Sequence, residues 1–253
     1  MHRAPADCGW RCRPRTPSVR SALWVKPWRR WTSAVESPRK HFLVVVCGTS
    51  TEIGKTWVGA ALARQLLSRG LQVAARKPLQ SHAMDDTSTD ADVLAAATGE
   101  DPLEVCPPDR RYGAPMAPPM AADFLSRPVP TTAQVTDEMS WPPGTDVGIV
   151  ETIGGVRSPH TRDGDGVDLV AALAPDLVVL VADAGLGTVN SVRLSVDALA
   201  GHRVVVHLNR FDPDEELHIR NLRWLTDSCG LAVTTALDSL IDLIHPIGEP
   251  RIV

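Results

Sequence analysis

A glycine-bounded segment that ends in lysine and threonine is the strongest chemical feature of the sequence. It runs Gly48-Thr-Ser-Thr-Glu-Ile-Gly54-Lys55-Thr56, directly after an apolar, strand-like run and before a helical pattern. In that context, successive backbone N–H groups and the helix N-terminus form a cradle for phosphate oxygens. Lys55 would meet the β- and γ-phosphates of a nucleotide, and Thr56 would place its hydroxyl on Mg²⁺. The segment predicts a P-loop, although five residues instead of the usual four separate its two glycines.

Lysine is rare in the part of the chain that carries this loop. Residues 41–253 hold 16 basic and 28 acidic residues, and 14 of the 16 bases are arginine. The two lysines are Lys55, in the loop, and Lys77, at the end of the next predicted strand. Lysine and arginine are not interchangeable, because an ammonium is a compact point charge and a guanidinium is a broad planar fork. A lysine that is retained in an arginine-dominated chain is therefore informative, and Lys77 is a second candidate for chemistry. The acidic balance argues against a nucleic-acid-binding surface, and the lack of an apolar run of about 18 residues argues against a membrane span.

Predicted strands and helices alternate from residue 41 onwards, and this alternation indicates the fold. Apolar runs of strand length occur at 41–47, 71–76, 146–151, 177–183, 203–209 and 231–237. Helical spacing occurs at 57–68, 190–200 and 214–228. Continuous apolar runs are typical of parallel strands that are buried on both faces. We therefore predict a single α/β domain at 41–253, of P-loop NTPase type, with a mainly parallel sheet and helices on both faces.

The first forty residues differ in composition from the rest and are expected to lie outside this domain. They contain ten basic and two acidic residues and four of the seven tryptophans, without helical or strand periodicity. We expect a disordered extension or a start site assigned too far upstream. A nucleic-acid arm, a membrane-surface anchor and a targeting peptide are the alternatives, although the apolar core of a signal peptide is missing. The five cysteines are scattered, which favours a reducing compartment and a cytoplasmic location.

The loop resembles that of dethiobiotin synthetases, whose form is Gly-Thr-x-Thr-x-x-Gly-Lys-Thr with the same spacing. Every fixed position matches, and Glu52 corresponds to an acidic residue found in many members. The resemblance extends over about residues 42–212. Its further motifs are Lys77-Pro78-Leu-Gln-Ser81, Thr89-Asp90, the substrate segment Arg111 to Pro118, Val150-Glu151-Thr152-Ile153-Gly154-Gly155, Gly185-Leu-Gly187-Thr-Val-Asn190 and the strand-terminal Asn209.

This resemblance implies a ligase of biotin biosynthesis that closes a cyclic urea from 7,8-diaminononanoate, CO₂ and ATP. It implies a carbamate on one amine, a carbamic-phosphoric anhydride made with ATP, and displacement of phosphate by the second amine. The implied catalytic residues are Lys77, Lys55 and Thr51. The implied partners are these small molecules and a second copy of the chain in a homodimer, with no nucleic acid and no membrane.

The resemblance also assigns the binding residues. Mg²⁺ would be held by Thr56, Asp90 and Glu151, which offer the hard oxygen ligands it prefers. The diamine would meet Ser81, Glu52, Gly187 and Asn190, the last two from the neighbouring subunit. The nucleotide contacts are Glu52, Ile53, Gly54, Lys55, Thr56, Trp57, Asp90, Glu151, Thr152, Ile153, Gly154 and Asn209, with Asn209 at the adenine.

Three other interpretations remain open. A ParA/MinD-like ATPase switch would share the loop, but Ser50 stands at the position of its signature lysine, five residues before Lys55. A cobyrinate diamide synthetase-like amidotransferase would need a further glutaminase domain, for which we expect no room in this chain. A degenerate homologue that binds nucleotide without turnover is supported by Thr152-Ile153, which stand where the family has Gly-Ala. The adenine-side segment of the family is not recognisable at 237–253.

Overall fold

Residues 41–244 are described by the computed structural model, so the predicted extension at 1–40 and the segment 245–253 lie outside the described residues. The strands are β1 (Phe42–Gly48), β2 (Val73–Arg76), β3 (Gln80–Ser81), β4 (Arg111–Tyr112), β5 (Val147–Glu151), β6 (Leu177–Asp183), β7 (Val204–Asn209) and β8 (Val233–Thr234). The helices are α1 (Lys55–Ser68), α2 (Asp90–Thr98), α3 (Pro102–Val105), α4 (Pro118–Phe124), α5 (Thr132–Asp137), α6 (Gly166–Leu173), α7 (Thr188–Ala198), α8 (Glu216–Arg223) and α9 (Leu237–Ile241).

Six strands form one parallel sheet in the order β2-β5-β1-β6-β7-β8, and β3 pairs with β4 in a separate two-stranded ribbon. The central strand β1 lies between β5 and β6, with Val46 opposite Glu151 and Gly48 opposite Val181. The chain completes β2 and β5 on one side of β1 before it crosses to β6 on the other. A reversal of this kind opens a crevice at the carboxyl ends of the strands, where α/β proteins bind ligands. The P-loop leaves β1 at this crevice.

Side chains of β1 alternate between two apolar cores, which is why helices cover both faces of the sheet. Val44 and Val46 belong to the core that includes Leu62 of α1 and Leu94 of α2. Leu43, Val45 and Cys47 belong to the core on the opposite face, which includes apolar side chains of α6 and α7. A third, smaller cluster lies beneath α4 and α5 and is built around the buried Tyr112. The predicted α/β fold with helices on both faces is confirmed.

Three regions differ from the sequence prediction in extent. The strand predicted at 231–237 is reduced to β8, which pairs with β7 at only two positions, and α9 begins at Leu237. The helix predicted at 214–228 divides into α8 and a π-helical turn, Trp224–Ser228. The stretch 101–130, which is rich in proline and for which no helix was predicted, contains the short helices α3 and α4, each with proline in its first turn, where the missing N–H costs no hydrogen bond. Within residues 41–244, no helix has the length and apolar character needed to cross a membrane.

A side chain, rather than another strand, bonds to the outer edge of the sheet at β2. The Glu100 carboxylate accepts the backbone N–H of Ala75 at 2.7 Å and the Arg76 guanidinium at 2.6 Å. One residue further on, the backbone N–H of Lys77 donates to the carbonyl of Val105 at 2.8 Å. The backbone donors at Ala75 and Lys77 are thereby satisfied, as buried polar groups require.

Candidate active site

The loop after β1 has the backbone shape of a phosphate cradle. Glu52 adopts φ +59° and Gly54 φ +92°, both in the left-handed region. Alternation of left- and right-handed residues turns successive N–H groups toward one concave side, where an anion binds. A Cβ on Gly48 would lie 2.8 Å from Cδ of Lys55 and 2.9 Å from the carbonyl of Ser50. Glycine at position 48 therefore makes room for the lysine stem that crosses the base of the loop.

Lys55 begins α1 and is held without a carboxylate partner. Its Nζ donates to the carbonyl of Ser50 at 2.9 Å, and the residue is 6% exposed. No ion pair to Lys55 is found in the described part of the chain. Burial, followed by repulsion from Lys77, lowers the pKa of Lys55 below its ordinary value. A buried ammonium with remaining donor capacity is suited to a phosphate that brings its own negative charge.

Lys77 follows β2 and lies between two carboxylates. Its Nζ is 2.7 Å from Oδ2 of Asp90 and 2.7 Å from Oε1 of Glu151, and it also donates to the carbonyl of Thr152 at 3.3 Å. Lys77 is 2% exposed and Glu151 is fully buried. The structure thus joins the second lysine, the end of β5 and the start of α2, which are separated by up to 74 positions in the sequence.

The ionisable groups in this cluster shift one another's pKa values. Burial acts to lower the pKa of Lys77, but the Glu151 and Asp90 carboxylates outweigh it and raise that pKa above its ordinary value. Burial raises the pKa of Glu151, and Lys77 opposes that rise. Burial acts to raise the pKa of Asp90, but Lys77 and the Thr56 hydroxyl bring it below its ordinary value. Lys77 therefore retains its proton and is the charge that makes two neighbouring carboxylates tolerable.

The oxygens of Thr56, Asp90 and Glu151 fit a magnesium ion. Oγ1 of Thr56 lies 2.8 Å from Oδ1 of Asp90 and 2.9 Å from Oε1 of Glu151, yet a hydroxyl carries one proton and can donate to one acceptor at a time. Oε2 of Glu151 is buried and has no hydrogen-bond partner among residues 41–244. No cluster of three His, Cys, Asp or Glu is found there either, but Mg²⁺ commonly takes one or two carboxylates and keeps several waters.

The N-terminus of α2 is fixed by side chains whose capping role the sequence prediction did not include. The Gln80 amide donates to Oγ1 of Thr89 at 3.1 Å and accepts the N–H of Ala91 at 3.1 Å. Thr89 and Asp92 form a reciprocal capping box. Asp90 is held between these bonds and faces Thr56 and Lys77, whereas Asp92 is engaged with Thr89. The Thr-x-x-Asp pattern before an apolar run is the sequence feature from which this cap could have been found.

The loop after β5 is held by a buried histidine. Nε2 of His160 accepts the N–H of Ile153 at 2.8 Å, so the proton resides on Nδ1, which lies 2.7 Å from the carbonyl of Ser158. Burial lowers the pKa of His160 to about 4, and the ring stays neutral. The Thr152 hydroxyl donates to the carbonyl of Val46 at 3.3 Å, and Ile153 packs on the third apolar cluster. Thr152 and Ile153, which stand where the family has Gly-Ala, thus both make contacts within the protein.

The end of β7 contacts the P-loop from outside. The Asn209 amide donates to the carbonyl of Ile53 at 2.8 Å, and Arg210 donates to the carbonyl of Glu52 at 3.2 Å. Asn209 is 7% exposed. A Cβ on Gly54 would collide with the Asn209 amide, so glycine is required at position 54 for space as well as for its positive φ.

A cavity of about 620 Å³ lies beside the P-loop, and Asn190 is the one of the four predicted substrate residues that lines it. Thr51 and Asn190 both line it, together with the segment 155–159 and Leu194 of α7. Gly187 precedes α7 at φ +93° and is exposed. Ser81 lies in β3, and its hydroxyl is buried without a hydrogen-bond partner in the described residues. Of the other predicted residues, Trp57 is 56% exposed on α1 and Glu52 is exposed in the loop.

Comparisons with known proteins match most of the described chain. A protein-family model described as an AAA domain matches residues 43–244. An ATP-dependent dethiobiotin synthetase BioD of Anaeromyxobacter sp. (strain Fw109-5) is 39% identical over 163 residues, which cover 64% of this chain and 72% of that protein. The protein of the same name from Haloferax mediterranei is 36% identical over 193 residues, which cover 75% of this chain and 81% of that protein.

Proposed function

Since this chain belongs to the dethiobiotin synthetase family, we propose that it is an ATP-dependent ligase that makes dethiobiotin in biotin biosynthesis. The observation that carries the proposal is the buried Lys77 ammonium, 2.7 Å from both Asp90 and Glu151 and adjacent to a P-loop. An anion-stabilising lysine beside a phosphate site is what the formation and phosphorylation of a carbamate require. The substrates are 7,8-diaminononanoate, CO₂ and ATP.

The proposed reaction proceeds in three balanced steps. One amine of the diamine attacks CO₂ and loses a proton, which gives a carbamate. A carbamate oxygen attacks the γ-phosphorus of ATP, and the bond between that phosphorus and the β-γ bridging oxygen breaks. ADP departs, and the product is a carbamic-phosphoric anhydride. The second amine attacks the carbamate carbon, phosphate departs with the former carbamate oxygen, and loss of a proton completes the cyclic urea.

The two lysines divide the stabilisation of charge in these steps. Lys55 lies at the base of the P-loop and stabilises the phosphoryl group as it moves, since its ammonium has no carboxylate partner in the described residues. Lys77 stabilises the carbamate and the anhydride, and it remains protonated because the carboxylates raise its pKa. Thr51 and Ser81 donate hydrogen bonds to the carbamate oxygens. Glu52 accepts hydrogen bonds from the amines of the substrate.

Thr56, Asp90 and Glu151 would hold Mg²⁺, which supplies charge neutralisation at the β- and γ-phosphate oxygens when it is bound. The chain's own contribution is to keep these oxygens together before the ion arrives. Thr56 opens α1, Glu151 ends β5, and Asp90 is fixed by the cap at the start of α2. Lys77 stabilises the two carboxylates until a metal ion shares that role.

We also propose a cytoplasmic homodimer in which residues 41–253 form the enzyme domain. In this dimer, the backbone N–H groups from Gly187 to Asn190, at the start of α7, would bind the carboxylate tail of a diamine that lies in the active site of the neighbouring subunit. Cys47 and Cys106 are free thiols, which supports a reducing compartment. Deletion of residues 1–40 should leave turnover and the dimer unchanged. Loss of the dimer in that variant would contradict this division of the chain.

The test is diamine-dependent release of phosphate by the purified protein with bicarbonate and Mg²⁺, measured with ATP, GTP, CTP and UTP separately. We expect dethiobiotin and nucleoside diphosphate in equal amounts, and no phosphate release above background when the diamine is omitted. Nucleotide binding without turnover under every condition would favour the degenerate homologue. Phosphate release that does not depend on the diamine would favour an ATPase switch.

A further inference from the structure

We propose that Asn209 and Arg210 are positioning residues of the P-loop, which hold two of its carbonyl groups turned away from the phosphates. The two residues are consecutive at the end of β7, and their side chains reach consecutive carbonyls, those of Ile53 and Glu52. This inference rests on nucleotide binding at the loop, which the proposed function requires.

The physical reason lies in how a peptide group is built. A peptide that turns its N–H toward a phosphate turns its carbonyl to the opposite side, and the carbonyl oxygen carries partial negative charge. If one peptide of the loop flips, that oxygen faces the phosphates and a donor is lost at the same time. A hydrogen bond to the outward carbonyl opposes the flip. Asn209 supplies this bond from a buried position, so water does not compete strongly for it.

The loop conformation has an intrinsic cost that makes such support necessary. Glu52 adopts φ +59°, which is unfavourable for a residue with a side chain, and Gly54 adopts φ +92°. Arg210 is itself at φ +56°, and from this position its guanidinium bonds to the carbonyl of Glu52. The Asn209 amide occupies the space that a Cβ on Gly54 would need. Asn209 and Gly54 are therefore complementary, and together they define the wall of the loop that is opposite the phosphates.

The proposal predicts how an Asn209 variant discriminates among ligands. A residue that positions the P-loop affects every ligand with a triphosphate, whatever base it carries. A residue that reads the base, the role that the family resemblance implies for Asn209, affects ATP selectively. Inorganic triphosphate has neither base nor ribose, so it separates these two roles and does not depend on whether the chain makes dethiobiotin.

The experiment measures dissociation constants of Mg²⁺-ATP, Mg²⁺-CTP and Mg²⁺-inorganic triphosphate by calorimetry for the full chain and for Asn209→Ala. We expect all three ligands to bind about five- to tenfold more weakly to the variant, the effect of one lost buried hydrogen bond. The matched control is Asn221→Ala. Its amide also donates to carbonyls, those of Ala184 and Gly185 at 2.9 Å, but it does not reach the P-loop. We expect this control to bind inorganic triphosphate normally.

Two results would overturn the proposal. One is an Asn209→Ala protein that binds inorganic triphosphate as the wild type does while ATP binding falls. The other is an equal loss in Asn221→Ala, which would make the effect general and not specific to the loop. The ratio of the constants for ATP and triphosphate is measured within one protein, so partial unfolding does not change it. If Asn209→Ala does not fold, Asn209→Ser takes its place, with the same ratio expected. Absence of dethiobiotin synthesis with normal triphosphate binding would refute the proposed function and leave this inference intact.

Discussion

Replacement of Lys77 by methionine is the most informative single change in this site. Lys77→Met keeps an unbranched side chain but removes the charge that lies 2.7 Å from both Asp90 and Glu151. Since Glu151 is fully buried, its charge then has no ion-pair partner among residues 41–244. Removal of one partner of a buried ion pair typically costs about 3–5 kcal/mol. Because the free energy of unfolding of a native domain is only about 5–15 kcal/mol, this loss is a large fraction of the total stability.

The loss of stability should depend on pH in a defined direction. Burial already raises the pKa of Glu151, and removal of Lys77 raises it further. A group whose pKa is higher in the folded state favours folding when it is protonated. The stability deficit of Lys77→Met should therefore be small below the ordinary carboxyl pKa of 4.5 and should grow as the pH rises above it. Urea denaturation followed by circular dichroism, at several pH values, gives this profile.

Turnover should fall by about 10²–10³-fold or more, since Lys77 is a donor aimed at developing negative charge. The matched control is Arg76→Met, which breaks the adjacent buried ion pair with Glu100 at 2.6 Å. Both variants should lose stability, but only Lys77→Met should lose diamine-dependent turnover at a temperature where each is folded. Near-normal turnover in Lys77→Met would remove this residue from the mechanism. An equal loss of turnover in Arg76→Met would assign the effect to stability alone.

Three further predictions concern the loops and the metal. The pKa of His160 is about 4 in the folded protein against an ordinary 6.5, so stability should fall by roughly 3 kcal/mol as the pH drops from 6.5 to 4, and His160→Gln should flatten that slope in urea titrations. Gly54→Ala should abolish calorimetric nucleotide binding, because a Cβ there collides with Asn209 and the positive φ disfavours alanine; normal binding would contradict the loop geometry. Glu151→Gln should weaken Mg²⁺ binding to the nucleotide complex by at least tenfold while nucleotide alone still binds, and an unchanged Mg²⁺ titration would exclude Glu151 as a ligand.

The sequence was sufficient to predict the fold, and it indicated the main candidate groups of the site, for physical reasons that are local. A continuous apolar run at 41–47 is compatible with a strand buried on both faces, and the structure has β1 at Phe42–Gly48. The loop motif acts through backbone N–H groups that its own residues position, so it can be identified without knowledge of distant contacts. The rarity of lysine indicated Lys77, which is buried between two carboxylates.

The supporting contacts could not be predicted because no sequence pattern indicates them. The His160 ring accepts the N–H of Ile153, which is only seven positions earlier, but a lone histidine has no distinctive sequence pattern. Asn209 contacts Ile53 across 156 positions of the sequence, a contact that only the order of strands in the sheet creates. The strand predicted near the C-terminus was too long because its length depends on pairing with β7. That pairing extends over only two residues of β8.

The side chain that caps the outer edge of the sheet has a consequence for self-association. An exposed edge strand presents unpaired N–H and C=O groups that can recruit a strand from another molecule. At β2, the Glu100 carboxylate already occupies the N–H of Ala75, and the chain near Val105 occupies that of Lys77. The opposite edge ends in β8, which is two residues long and offers little template for pairing. Within residues 41–244, both edges of the six-stranded sheet are therefore poor templates for strand addition by another copy of the chain.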